Sequence, residues 1–102
     1  MKATAMNKGV NVVTCQGDLN AASMVRMKSR LSHLMNRKCK KMILDLKNAK
    51  HADFSGLGIL IERLQKVRSM HGDIQVINVR PTVYETFTKV GLDRLVQLYQ
   101  AV

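Results

Sequence analysis

Two rhythms of apolar residues trade places along this chain. In residues 9–17 (GVNVVTCQG), Val10, Val12 and Thr14 alternate with Asn11, Val13 and Cys15. A period of two predicts a strand, here with fairly apolar residues on both faces. The spacing then lengthens. Met24, Met27, Leu31, Leu34 and Met35 recur three and four apart, which predicts a helix to about residue 35 with Arg26, Lys28, Arg30 and His33 on its outer face. Asp18 or Asn20 is placed to cap its first turn. Residues 42–46 (MILDL) form a short apolar run suited to a buried central strand. After a polar turn over 47–51, helical spacing returns with Leu57, Leu60, Ile61, Leu64 and Val67. It stops at Gly72, a residue suited to the left-handed turn that ends many helices.

Residues 74–79 (IQVINV) predict another buried strand, and Pro81 fits the first turn of a third helix because its missing N–H is not needed there. Val83, Phe87 and Val90 make the inner stripe of that helix, Gly91 ends it, and Leu92 can pack back on its last turn. Residues 94–99 (RLVQLY) read as a closing strand. The order is β-α-β-α-β-α-β, with the first few residues available as an extra edge strand. Alternation of this kind implies an α/β fold on a mainly parallel sheet.

Composition narrows the class. At 102 residues, 46% of them apolar, the chain is expected to form a single globular domain. No apolar run approaches the roughly 18 residues of a membrane span, and residues 1–13 lack the apolar core of a secretory signal. A cytoplasmic location is therefore expected, with no membrane partner, and Cys15 and Cys39 as free thiols. The formal net charge of +10 is less ordinary. Between residues 37 and 50, Arg37, Lys38, Lys40, Lys41, Lys47 and Lys50 face only Asp45. Such a field attracts acidic proteins, anionic surfaces or nucleic acid, and it also serves simply as a solvated face.

The catalytic inventory is thin. His33, His51 and His71 are scattered, and no HxxxH or CxxC spacing suggests a metal site. Ser55 is not in a GxSxG elbow, because Asp53 and Leu57 occupy the glycine positions. Gly56-Leu57-Gly58 precedes a helix, yet Ile61 stands where a dinucleotide loop needs its third glycine, and no Walker A lysine follows. Asp45 and Asp53 could flank a cleft. No nucleophile–base–orienter set can be assembled, so an enzyme is not expected, nor a cofactor. Ser55, at the start of the second helix, has two compatible readings: an N-cap, and a phosphoacceptor at the positive end of the helix dipole. Asp53 would deepen the negative patch that a phosphate creates.

Residues 42–58 (MILDLKNAKHADFSGLG) resemble the signature of the STAS domain family of anti-sigma factor antagonists: a strand ending in Asp-Leu, a turn, then Asp-Ser-Ser-Gly-Leu-Gly opening a helix. Gly17-Asp18-Leu19, Asn78-Val79-Arg80-Pro81 and Val90-Gly91-Leu92 fall where the family carries similar turns, so the likeness covers about residues 10–99. The resemblance implies a mixed, mainly parallel sheet of four to five strands with helices packed largely on one side. It implies an anti-sigma factor serine kinase as partner, with Ser55 as the phosphorylation site and a PP2C-type phosphatase restoring the binding form. By the same resemblance, Asp18, Asn20, Asp53, Phe54, Ser55, Gly56, Leu57 and Gly58 form the partner-binding surface, on a domain expected to be a monomer. Two departures stand out: Phe54 replaces the first serine of the motif, where it either packs in the turn or anchors a partner, and Asn20 replaces a second aspartate.

Two other readings compete. The charge motivates a basic nucleic-acid-binding domain, but Phe54, Tyr84, Phe87 and Tyr99 are not interleaved with the lysine-rich segment as a stacking platform requires. The other is an unphosphorylated STAS scaffold or ligand-binding domain, in which Ser55 is only a helix cap.

Overall fold

The computed structural model describes residues 2–7, 10–36 and 41–101. Its elements are β1 (Lys2–Asn7), β2 (Val10–Thr14), α1 (Ala21–Asn36), β3 (Lys41–Asp45), α2 (Phe54–Ser69), β4 (Asp73–Val79), α3 (Pro81–Lys89), a short 3-10 turn (Leu92–Arg94) and β5 (Gln97–Gln100). The five strands form one sheet in the order β1-β2-β3-β4-β5. β1 runs antiparallel to β2, and the remaining pairs are parallel. The first few residues do supply the extra edge strand.

Strand order follows chain order, so each right-handed crossover steps the same way and leaves its helix on the same face of the sheet. Strand register shows which face that is. Val13 pairs with Leu44 and Leu44 with Val76, and all three are buried. The adjacent row, Val12–Ile43–Gln75–Gln97, points to the opposite face and is less buried. Met24, Met27, Leu31 and Leu34 of α1 and Leu57, Leu60, Leu64 and Val67 of α2 close over the buried row, with Phe87 of α3 completing the core. The Met35 side chain and the whole of Cys39 lie outside the described residues. Cys15 is a free, buried thiol; burial pushes its pKa up, and its Sγ donates to the Gly17 carbonyl at 3.2 Å.

The end of α2 differs from expectation. The left-handed residue is His71 (φ 60°) rather than Gly72. The His71 N–H bonds to the Arg68 carbonyl and the Gly72 N–H to that of Val67, the paired closure of a Schellman turn. Gly72 is needed for space: a Cβ there would lie 2.8 Å from the Val67 Cγ1.

Candidate functional site

Parallel strands deliver their following loops to one edge of the sheet, and in open α/β sheets that edge is where sites are built. The β2–α1 loop, the β3–α2 loop and the start of α3 meet here. Leu19 is fully buried and pairs with the β3–α2 loop: its N–H donates to the His51 carbonyl (2.9 Å), and its carbonyl accepts from the Asp53 N–H (3.0 Å). One residue earlier, Asp18 Oδ1 accepts the N–H groups of Lys50 (2.8 Å) and His51 (3.1 Å). Those two bonds hold the Asp18 carboxyl below its ordinary pKa. Asp18 is therefore a staple between loops and does not cap α1. Asn20 caps that helix, accepting from the Ser23 N–H at 2.9 Å while the Ser23 hydroxyl accepts from the Asn20 N–H at 3.1 Å.

The other side of the β3–α2 loop is tied just as firmly. Arg80 Nε donates to the Lys47 carbonyl, and the Thr82 hydroxyl to that of Lys50, each at 3.0 Å. Asp45, only 8% exposed, accepts from the Lys47 N–H and from the Asn78 side-chain amide, both at 3.0 Å. Asp45 is thus an internal brace, its carboxylate turned to Lys47 and Asn78 and not shared with Asp53, which caps α2. Asn78 reaches it from a left-handed conformation (φ 56°) inside β4, where the register against β5 shifts, a geometry Asn adopts more readily than most residues. Asn78, Arg80 and Thr82 are not among the site residues that the sequence suggests. Asn78 and Arg80 fall in a segment that resembles the family, but nothing local to that segment or to Thr82 gives their bracing role, because each acts on a partner 32 or 33 residues away.

The N-cap of α2 is Asp53, whose Oδ1 accepts the Gly56 N–H at 2.7 Å. Ser55 is therefore not the cap. It sits in the first turn of α2 with its side chain exposed. Phe54 beside it is 80% exposed, so it does not pack in the turn. Two motif residues face inward instead of outward: Leu57 is core, and Gly56 lies so close to the β2–α1 loop that a Cβ would come within 2.5 Å of the Leu19 carbonyl oxygen. They set the surface without being part of it. Phe54, Ser55 and Gly58 are the accessible face, with Asn20 and Asp53 exposed at its border. Of the basic segment, Lys47 and Lys50 are exposed near this edge, whereas Arg37, Lys38 and Lys40 lie outside the described residues. No group of three or more potential metal ligands occurs among the described residues.

The family model of the STAS domain matches residues 2–102. The chain belongs to the STAS domain family. An anti-sigma F factor antagonist from Paenibacillus polymyxa is 30% identical over 95 residues, covering 91% of this chain and 80% of that protein. The crystal structure of TM1081 from Thermotoga maritima superposes with a TM-score of 0.86 at 20% identity, covering 99% of this chain and 86% of that one. SpoIIAA, an anti-sigma factor antagonist, superposes in its unphosphorylated form with a TM-score of 0.75 at 17% identity, covering 99% of this chain and 88% of its own. In the phosphorylated form of the Bacillus protein the TM-score is 0.74, also at 17% identity, covering 95% and 88%. These structures share the fold of this STAS domain: one mixed sheet with its helices layered on one face. No helix among its described residues is long and apolar enough to cross a membrane.

Proposed function

We propose that this STAS domain is a phospho-switched anti-sigma factor antagonist, a regulatory binding module and not an enzyme. In the unphosphorylated form it binds an anti-sigma factor serine kinase and so releases a sigma factor. Ser55 is the phosphoacceptor, and a PP2C-type phosphatase reverses the modification. The carrying observation is the exposed Ser55 on a first turn whose capping, by Asp53, does not involve its hydroxyl. Modification of Ser55 therefore costs no capping hydrogen bond. Likeness to the Paenibacillus polymyxa antagonist and the existence of SpoIIAA in both phosphorylation states support the reading.

The chemistry of the switch follows from position. A phosphate on Ser55 brings about −1.5 to −2 charges to the positive end of the α2 dipole, which tolerates them. The same charge stands beside Asp53 and on the face carrying Phe54 and Gly58. A partner that docks on that apolar, smooth surface meets a desolvation cost and repulsion where it previously met a small hydroxyl. Ser55→Asp should keep the fold and lose the kinase, whereas Ser55→Ala should keep both. Capture of one ATP-binding kinase from native-host lysate by the alanine form alone, with phosphate mapped to Ser55 after ATP is added to the wild-type complex, is the expected result. Equal capture by both variants would overturn the switch.

A further inference from the structure

β5 is the last strand of the sheet: Gln97–Gln100 pairs with β4 on one side and, among the described residues, has no strand on the other. A free strand edge presents unpaired N–H and C=O groups that template pairing with another extended chain, and proteins commonly blunt it with lysine or proline. The segment Gln97-Leu98-Tyr99-Gln100 contains neither, so its protection is limited to its four-residue length and a register shift against β4 between Val76 and Val79. An open cleft of about 430 Å³ lies against it, lined by strand residues together with Arg68, Tyr84, Asp93 and Arg94.

The cleft has a charge and a fixed frame. Arg68 and Arg94 outnumber Asp93, so its formal balance is positive. Arg68 Nη1 donates to the Leu95 carbonyl at 2.8 Å, which pins the guanidinium beside the chain entering β5. On the sheet, the Gln97 amide oxygen accepts from Gln75 Nε2 (3.0 Å) and from the Tyr99 hydroxyl (3.3 Å). The Tyr99 ring, 48% exposed, is thereby held at the rim.

We infer that this edge is a second protein-binding site, which takes an acidic, extended segment of a partner as an added strand. Main-chain pairing to β5 would supply affinity, and Arg68 and Arg94 would select acidic side chains. A second copy of this chain fits poorly. Pairing β5 with its own copy would gather the same arginines from two molecules of net charge +10. The site is also separate from the Ser55 surface. Ser55 opens α2 and Arg68 lies in its last turn, about 20 Å apart at 1.5 Å per residue. Both surfaces can be occupied at once, and the edge does not depend on the phosphorylation state.

The test is an amide-resolved NMR titration of the ¹⁵N-labelled chain and of its Ser55→Asp variant. The probes are a capped alternating Glu-Val heptapeptide, its Lys-Val counterpart, a Glu-Val peptide with alternate backbone N-methyl groups, and ATP. The Glu-Val peptide should shift the amides of residues 97–100 in both proteins with equal affinity, and Arg94→Glu should weaken it about tenfold while its own spectrum shows an intact fold. N-methylation should abolish binding, since it removes the strand-forming donors while leaving the charges. Absence of shifts at β5, equal binding of the Lys-Val or N-methylated peptide, occupancy of the cleft by ATP in place of the peptide, or self-association through β5 would each overturn the proposal. A Ser55→Asp variant that still binds the peptide keeps this site standing even if the kinase switch fails.

Discussion

Two glycines in the central motif have opposite physical meanings. Gly56 lets α2 start against the β2–α1 loop, where an added Cβ would meet the Leu19 carbonyl oxygen at 2.5 Å and its carbon at 2.7 Å. Both obstacles are backbone, already held by hydrogen bonds to His51 and Asp53, so neither yields cheaply. Gly58, two residues on, is open: a Cβ added there would meet nothing within 4 Å. In urea unfolding, Gly56→Ala should lose about 1–3 kcal/mol. Gly58→Ala should gain up to about 1 kcal/mol from helix propensity. Similar effects at the two positions would mean that α2 does not approach Leu19 as closely as described.

At the scale of elements, the β3–α2 loop is less a loop than a bracket held from three sides, by Asp18, by Arg80 and Thr82, and by Asp45. Asp18 gives the bracket a pH signature. Its folded carboxyl holds a proton less readily than the ordinary carboxyl, whose pKa is 3.8. A depressed folded pKa contributes stability that is complete above the unfolded value and lost as pH falls through the folded one. Asp18→Asn should therefore melt at a lower temperature than wild type at neutral pH, and the gap should close as pH falls beneath 3.8. Melting curves that stay a constant distance apart across that range would remove Asp18 as an ionised staple.

For the whole molecule, charge is the outstanding property. Among the described residues, the ion pairs Lys28–Glu62, Arg63–Glu62 and Lys89–Glu85 span 3.2–4.0 Å and draw on Glu62 and Glu85, against a net charge of +10 for the chain. Uncompensated like charges oppose compaction, and salt screens them over a Debye length of about 10 Å at 0.1 M. The melting temperature should rise as NaCl goes from about 20 to about 200 mM. A flat or falling response would show that the positive charges are locally balanced. The same excess, with Arg68 and Arg94 at a free sheet edge, gives the molecule a second face of distinct chemistry away from Ser55.

Periodicity by itself determined the element order, the strands predicted at 42–46 and 74–79, the Pro81 start of α3 and most of the buried stripes of the helices, because a residue's burial follows from its phase within a regular element. Val90 is the exception, exposed at the C-cap of α3 where the helix ends before it can face the core. The motif 42–58 was equally legible, and with it the position of Ser55 at the head of α2. Tertiary structure decided the rest. Asp53 caps α2 instead of Ser55 because the chain turns helical one residue after Asp53, a choice among neighbours that spacing does not make. His71 takes the left-handed turn while Gly72 makes room for Val67, since what separates those roles is the approach of a side chain. Asp18 became a staple and Phe54 an exposed ring through contacts or openings set by other elements. The free edge at β5 exists only once the strands are ordered, because whether a strand has a neighbour depends on the whole sheet and not on its own residues.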